Sequence, residues 1–238
     1  MYEELLEVAL EAARAGSEVV ERYFGDEGLE FRAKGANDFV TRADRDSERA
    51  VVEVIRRHFP EHRIVAEEGG EVGAEEGQLV WLVDPLDGTT NFMHGLPIYA
   101  VSIACVEGDR TVAAVVTEPH AGNEFTATAG GGAFWNDRPI EVSGRPRLAG
   151  AFVATGYPFR ARATIDTYLA VFRSVFLEAK ALRRTGAAAL DLAYTAAGVF
   201  DGFFEFRLAP WDIAAGALLI EEAGGVVTDL DGGRRERS

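Results

Sequence analysis

The sequence predicts an α/β fold of the α+β type, in which helices cover β-sheet. The chain opens with apolar residues at steps of three and four, which is the period of an amphipathic helix. Residues 98–128 carry three β-rich runs split by turn residues, a pattern typical of an antiparallel meander. From residue 151 onward, strand-like and helix-like runs alternate, and this alternation indicates sheet covered by helices.

The first half is predicted to place two helices beside short strands. After the opening helix, the polar residues 34–38 are expected to form a loop. Thr41 and Asp44 form a capping-box pattern, so a second helix should begin there and end before Pro60. The predicted strands before the meander cover residues 29–32, 63–66 and 79–83.

The second half is predicted to follow a glycine-rich patch at residues 130–132 and a basic stretch at residues 143–147. The predicted helices cover residues 164–177, 187–197 and 211–223. The predicted strands cover residues 151–155, 202–206 and 226–228, with one more between the first two of these helices. Neither a repeat nor a flexible linker is visible, so residues 1–238 are expected to form a single domain. Its approximate subdomains, 1–145 and 146–238, should pack together with a cleft between them.

Composition and charge narrow the class of protein. With 238 residues and 47% hydrophobic residues, the chain can bury a core, and it is not disordered. Its 39 acidic and 24 basic residues give a net charge of −15, which opposes direct binding to nucleic acid or to an anionic membrane. Cys105 is the only cysteine, which excludes an internal disulfide. The acidic start is unlike a signal peptide, and a cytoplasmic location is expected.

The segment from Trp81 to Phe92 carries the strongest chemical signal. A buried strand that reaches Asp84, breaks at Pro85 and adds Asp87 places two carboxylates at the edge of a sheet, where α/β proteins position their sites. Carboxylate and carbonyl oxygens are the ligands that Mg²⁺ prefers. The following Gly88-Thr89-Thr90 can present amide groups to a phosphate. Taken alone, Asp-Gly is typical of a hairpin turn, but the full string favours a site.

Other acidic residues have simpler readings that stay open at this point. Glu67 and Glu68 follow a predicted strand and are compatible with a solvated loop. Asp212 begins an apolar helix, where an acid stabilises the helix dipole. Asp44, with Thr41, reads equally as a capping residue. Four histidines offer no alternative: Pro60 separates His58 from His62, which we interpret as surface residues, and His94 and His120 lack partners at ligand spacing.

Two strings together resemble the signatures of the inositol monophosphatase family. The first is Asp84-Pro-Leu-Asp-Gly-Thr-Thr-Asn-Phe92, and the second runs from Trp211-Asp-Ile-Ala-Ala-Gly216 to Glu222-Ala-Gly-Gly225. The resemblance covers nearly the whole chain. It implies a layered α/β/α/β/α sandwich and a magnesium-dependent, often lithium-sensitive sugar or polyol phosphatase, usually a homodimer, with two or three Mg²⁺ ions per active site.

The resemblance also implies a role for particular residues. One metal would be held by Glu67, Asp84 and the carbonyl of Leu86, and a second by Asp84, Asp87 and Asp212. Thr89 would orient the attacking water with Asp44 as its partner, and Glu67 belongs to the catalytic set. Lys34, Asp38 and Asp44 would serve a mobile loop and a third metal. The substrate-binding positions would be Gly88, Thr89, Gly186, Ala187, Ala188 and Glu205.

Two features depart from the family pattern. Beyond Thr228 to Gly232 the family normally continues into another strand and a final helix, whereas this sequence ends at Ser238. Either this edge is trimmed in this member, or the sequence is cut short. The implied ligands all precede that region, so the departure concerns edge packing and stability and does not concern the site. The residues near Arg207 and Ala209 follow no pattern tied to one sugar.

Several activities compete on the same scaffold. Inositol 1-phosphate or a related polyol phosphate is the predicted substrate. Fructose-1,6-bisphosphatase, histidinol-phosphate phosphatase and nucleotide 3′-phosphatase activities are the alternatives. A different class is an interaction protein of the transcription or RNA machinery, as some relatives are. The carboxylate set favours catalysis, because an interaction module has no need to keep repelling charges together.

Overall fold

The computed structural model describes residues 2–26, 28–29, 31–35, 38–73, 79–230 and 232–233. The helices of these residues are α1 (Glu3–Tyr23), α2 (Arg42–His58), α3 (Thr89–Met93), α4 (Ile165–Glu178), α5 (Ala188–Ala196) and α6 (Pro210–Glu222), with a 3-10 turn at Phe159–Thr164 before α4. The strands are β1 (Phe31–Gly35), β2 (Asp38–Thr41), β3 (Arg63–Ala66), β4 (Gly70–Val72), β5 (Leu79–Asp87), β6 (Ala100–Glu107), β7 (Arg110–Glu118), β8 (Asn123–Thr128), β9 (Gly132–Trp135), β10 (Arg138–Pro139), β11 (Phe152–Thr155), β12 (Ala181–Arg183) and β13 (Gly202–Phe204).

These strands form a large sheet, a small sheet and a hairpin. The large sheet has the order β10-β9-β8-β7-β6-β5-β3-β4. Its strands pair antiparallel except for β3 and β5, which run parallel. The small sheet has the order β12-β11-β13 and is parallel throughout. Strands β1 and β2 pair separately as an antiparallel hairpin.

The large sheet lies between two pairs of helices, and its side chains point alternately into the two hydrophobic cores. Trp81 and Val83 of β5 face a core built with α1 and α2, whereas Leu82 between them faces a second core built with α5 and α6. This alternation is the two-residue period of a strand buried on both faces. Beyond α5 lies the small sheet, and Tyr168 of α4 packs on its far side, against Phe204. The result is the α/β/α/β/α sandwich.

Small residues allow the helices to approach closely. A Cβ atom on Gly16 of α1 would lie 2.8 Å from Val51 Cγ2 of α2, so a larger residue there would push the two helices apart. A Cβ atom on Gly216 of α6 would overlap the Leu192 side chain of α5. Helix α6 is buried on nearly all sides, which accounts for its uniformly apolar composition.

Several sequence predictions are confirmed. Thr41 and Asp44 form the predicted capping box at the start of α2, and α2 ends at His58, before Pro60. The meander is present as β6, β7 and β8.

Cys105, the only cysteine, is fully buried in the core. Among the described residues, no helix combines the length and apolar character needed to cross a membrane.

Other predictions need correction. Lys34 and Asp38, expected in a loop, lie in β1 and β2, because these two strands pair with each other. Residues 226–228, expected as a strand, form no strand in the described chain; only an isolated bridge at Thr228 is present. The short strands β2, β4, β9 and β10 were not predicted. Strand β5 also continues past Pro85 to Asp87, through an irregularity in its pairing with β6.

Candidate active site

The irregular end of β5 positions the central carboxylates. Asp84 pairs with Ser102 and Asp87 with Ala100, and the register shifts between these two pairs. The extra residue bends the strand out of the sheet, as β-bulges do. The Ser47 hydroxyl of α2 donates a 2.9 Å hydrogen bond to the Pro85 carbonyl and so fixes the bend.

Gly88 turns the chain from β5 into α3. Its φ angle is +87°, in the left-handed region that favours glycine. A Cβ atom there would also lie 2.9 Å from the Ile98 carbonyl oxygen and 3.2 Å from Ala187 Cβ. Position 88 therefore requires glycine on two grounds, and this tight turn brings α3 close to the segment before α5.

Thr89 and Asp44 are joined by hydrogen bonds. Thr89 Oγ1 lies 3.0 Å from Asp44 Oδ1 and 3.0 Å from the Leu86 carbonyl oxygen. The Asp44 Oδ2 atom accepts from the amide and hydroxyl of Thr41. Asp44 is only 1% exposed, and burial raises its pKa, although these hydrogen bonds oppose the rise. Asp44 can therefore cap α2 through Oδ2 and bind Thr89 through Oδ1 at the same time.

Four carboxylates interact electrostatically at the end of β5. Loss of hydration raises the pKa of Asp84 well above its ordinary value, and the negative charges of Glu67, Asp87 and Asp212 raise it further. Burial likewise raises the pKa of Asp87, with Asp212 as the strongest neighbouring charge. In the described part of the chain, the charges that act on these two acids are all negative. Such a cluster favours binding of a cation.

The chemistry of this donor set fits magnesium, although the side chains do not converge as they stand. Asp84 accepts from the Leu86 amide at 3.1 Å, Asp87 from the Ala189 amide at 2.7 Å, and Asp212 from the Ala209 amide at 2.8 Å. Over the described ranges, no group of three or more His, Cys, Asp or Glu side chains is arranged to hold a metal ion. The charges of Glu67, Asp87 and Asp212 nevertheless all act to raise the pKa of Asp84. Each of these aspartates also keeps a second carboxylate oxygen beyond the one that accepts from an amide, and that oxygen can serve as a cation ligand.

The implied substrate positions lie around the start of α5 and the end of β13. The Ala189 amide that Asp87 binds belongs to the first turn of α5, so this helix start faces the carboxylates. Gly186 precedes it with a φ angle of +95°, and a Cβ atom there would approach Arg184 and Asn91. The negative charge of Glu205 also raises the pKa of Asp87, so Glu205 lies near this carboxylate. The start of α5 and Glu205 therefore lie near Asp87.

Sequence reasoning missed four residues that support the site. Glu48 of α2 is buried, and its Oε2 atom accepts from the Glu68 amide at 2.8 Å, which holds the turn after Glu67. Asn91 of α3 donates to the carbonyls of Ile98, at 2.8 Å, and Thr185, at 2.9 Å. Ser47 fixes Pro85, as described above. A Cβ atom on Gly156 would overlap the Glu205 carboxylate. In the sequence, the only signal for Glu48 and Ser47 is that these polar residues fall on the face of α2 that is otherwise apolar.

Other predicted residues have different outcomes. The side chains of Lys34 and Asp38 lie outside the described part of the structure. Asp44, implied with them in a mobile loop, is instead fixed at the third position of α2. His58 is on the surface beside Glu11, as predicted. His62 is only partly exposed: it stacks on Phe59, and its Nδ1 accepts from the Trp81 indole at 3.1 Å. Burial lowers the pKa of His62, consistent with a structural acceptor.

Comparisons with known proteins place this geometry in context. The model of the inositol monophosphatase family matches residues 1–237. Nus factor SuhB of Pseudomonas aeruginosa is 48% identical over 233 residues, covering 96% of this chain and 86% of the relative. Nus factor SuhB of Escherichia coli K12 is 46% identical with the same coverage.

Solved structures agree with the sequence comparisons. The extragenic suppressor protein SuhB from Bartonella henselae superposes with a TM-score of 0.93 and 43% identity, covering 97% of this chain and 89% of that one. An inositol monophosphatase from Anabaena (Nostoc) sp. PCC 7120 superposes with a TM-score of 0.88 and 38% identity, covering 98% and 87%.

Proposed function

Because the chain belongs to the inositol monophosphatase family, we propose that it is a magnesium-dependent phosphatase of small phosphate monoesters, with inositol 1-phosphate or a related polyol phosphate as substrate. The observation that supports this most is the electrostatic cluster of Asp84, Asp87, Asp212 and Glu67. Like charges held close together destabilise the folded protein, and a bound cation would offset this repulsion.

The carboxylates and one carbonyl would share two metal ions. Glu67, Asp84 and the Leu86 carbonyl would hold the first, and Asp84, Asp87 and Asp212 the second. Magnesium bound there would neutralise phosphate charge, favour departure of the alkoxide and make a nearby water more acidic. A third, weaker ion near Lys34, Asp38 and Asp44 belongs to the same proposal.

Thr89 and Asp44 would orient the attacking water and receive its proton. The Thr89 hydroxyl has one proton and two acceptors at 3.0 Å, so its oxygen keeps a lone pair for a hydrogen bond from water. As the water loses a proton to Thr89 Oγ1, the hydroxyl proton passes to Asp44 Oδ1. The raised pKa of Asp44 suits it to accept that proton.

The remaining residues would bind the substrate. Amide groups at Gly88 and Thr89 would meet the phosphate at the start of α3. The backbone of Gly186, Ala187 and Ala188 would line the pocket, and Glu205 would accept hydrogen bonds from sugar or polyol hydroxyls. Gly156 leaves room for the Glu205 carboxylate. These contacts would orient the phosphate ester toward the water held by Thr89.

The test is phosphate release from a panel of substrates. The panel contains inositol 1-phosphate, fructose 1,6-bisphosphate, histidinol phosphate and adenosine 3′,5′-bisphosphate, each with Mg²⁺ and with excess EDTA. We expect the highest kcat/KM for inositol 1-phosphate and loss of activity in EDTA. Undiminished turnover in EDTA would refute the magnesium mechanism, and a preference for another substrate would refute the substrate assignment.

A second function is supported by the names of the relatives. Proteins 46–48% identical to this chain are called Nus factor SuhB, so an interaction with the transcription machinery is the alternative role. A variant without phosphatase activity, Asp84→Asn, separates the two, because binding to a transcription complex would persist in it. Absence of binding in both proteins would exclude this second role.

A further inference from the structure

Helix α5 begins at the candidate site without a capping side chain of its own. Its N-cap residue is Ala187, whose methyl group cannot accept a hydrogen bond from the first amides of the helix. Gly186 before it has a φ angle of +95°, in the region that favours glycine. Residues 186–188 are the backbone proposed above to line the substrate pocket, so groups other than a cap must hold their conformation.

Thr185 and Asp191 make hydrogen bonds that hold this backbone. The Ala187 amide donates a long 3.5 Å hydrogen bond to the Thr185 hydroxyl oxygen, and that hydroxyl donates to Asp191 Oδ1 at 2.7 Å. The Thr185 carbonyl accepts from the Asn91 side chain at 2.9 Å. Thr185 is therefore tied to both α3 and α5, and residues 186–188 lie in the loop that the Thr185–Asp191 bond closes.

Burying Asp191 costs free energy that a neutral residue would not cost. It is 1% exposed, and burial raises its pKa, although the Thr185 hydrogen bond and the charge of Arg184 oppose the rise. Its negative charge also raises the pKa of Asp87. A carboxylate, however, accepts a shorter and stronger hydrogen bond from a hydroxyl than a neutral oxygen does. Groups in such unfavourable environments concentrate at functional sites, which favours a role for the Thr185 bond beyond folding.

We propose that Thr185 and Asp191 act as a positioning pair, which holds the backbone of residues 186–188 in the conformation that binds the substrate. This inference rests on the proposed function, because it concerns the substrate segment of that site. Neither side chain would touch the substrate, and both would act through the backbone that lies between them. The proposed metal ligands lie on other elements, so loss of the pair should weaken substrate binding and leave metal binding in place.

Thr185→Val tests the pair, because valine keeps the shape of threonine and lacks the hydroxyl. We expect KM for inositol 1-phosphate to rise at least about fivefold, a factor typical of one lost hydrogen bond, with little change in kcat. Asp191→Leu should raise KM by a similar factor, whereas Asp191→Asn should raise it less, because asparagine keeps an oxygen acceptor. Since both changes break the same bond, the double variant Thr185→Val/Asp191→Leu should raise KM no further than the larger single change. The increase in melting temperature that Mg²⁺ causes should be retained in every variant.

Thr195→Val is the matched control. Thr195 is a buried threonine of α5 whose hydroxyl donates to the Asp191 carbonyl at 2.7 Å, so the same chemical change is made further along the helix. A general loss of stability would affect both valine variants, whereas KM should rise only in Thr185→Val. An equal rise in KM in the two variants, additive effects in the double variant, or no rise in Thr185→Val would each overturn the positioning pair.

Hydrogen exchange separates this inference from the proposed function. The Ala187 amide, which loses its acceptor, should exchange at least about tenfold faster in Thr185→Val than in the native protein or in Thr195→Val, with neither substrate nor metal added. Faster exchange without hydrolysis of any substrate in the panel would refute only the proposed function. Unchanged exchange would overturn the positioning pair and leave the proposed phosphatase activity standing.

Discussion

At the scale of single residues, Asp84 has an unfavourable electrostatic environment in the candidate site. It is 2% exposed and surrounded by the charges of Glu67, Asp87 and Asp212. Ionising it in the folded protein costs free energy that the unfolded chain does not lose. The metal-free site therefore lowers stability, and a cation would restore it.

The variant Asp84→Asn tests this directly. It removes one charge and nearly keeps the shape, so the metal-free variant should melt no lower than the native protein. Its activity should fall at least about a hundredfold. Added Mg²⁺ should raise the melting temperature of the native protein more than that of the variant, as measured by calorimetry. Near-normal turnover, or equal stabilisation by Mg²⁺, would show that Asp84 is not a ligand.

Gly156 gives a second prediction about a single position. The Cβ of Gly156→Ala would displace the Glu205 carboxylate, which is the movable end of a flexible side chain. We therefore expect little loss of stability but a raised KM, with stabilisation by Mg²⁺ retained. Gly202→Ala is the control, because a Cβ there meets no atom within 4 Å. If Gly156→Ala leaves KM unchanged, Glu205 does not bind substrate.

At the scale of elements, the helices and long strands could be predicted from the sequence, whereas the short strands could not. Helix α1 and strands β6 to β8 have enough residues to show a period. Strands β4 and β10 have three and two residues, and only their partners decide that they pair. Residues 226–228 have strand composition without a partner strand in the described chain, which is why that prediction was wrong.

In the candidate site, too, some residues could be predicted from the sequence and others could not. Asp84 and Asp87 stand out in one string, but Asn91, Ser47 and Glu48 act through contacts distant in sequence.

Asn91 connects three elements, which gives a prediction at this scale. Its amide group holds α3 to the Ile98 carbonyl before β6 and to the Thr185 carbonyl before α5. Asn91→Ala would leave these carbonyls unsatisfied, at a cost of about 2 kcal/mol. The melting temperature should drop by roughly 5 °C, and activity should drop with it. Thr90→Ala, at the exposed neighbour in α3, should change neither. Equal melting temperatures for the two variants would show that the Asn91 bonds contribute nothing.

At the scale of the whole molecule, acidic charge is distributed between the surface and the interior. Most of the 39 acidic side chains can remain hydrated. Asp44, Asp84 and Asp191 are buried, in contrast, each with a raised pKa, and Asp84 lies among like charges. Buried carboxyls with raised pKa values make the folded protein bind protons more tightly than the unfolded chain does. Its stability should therefore fall as pH rises through the range in which these groups ionise.

Asp191 of α5 allows this dependence to be measured at one residue. It is 1% exposed, and burial raises its pKa to about 7, against a favourable hydrogen bond from Thr185 and the charge of Arg184. The unfolded chain loses this proton near pH 4, so between about pH 4 and 7 each unit of rising pH lowers the stability of the native protein.

Asp191→Asn keeps an oxygen acceptor for Thr185 and cannot ionise. From pH 5.5 to 8.5, in EDTA, the variant should gain about 2 kcal/mol over the native protein, since the 1.5 units up to pH 7 each correspond to about 1.4 kcal/mol. Denaturant unfolding at both pH values measures the difference, and Asp166→Asn, at an exposed position in the first turn of α4, controls for the loss of one charge. Parallel changes in the native protein and Asp191→Asn would show that Asp191 does not titrate in this range.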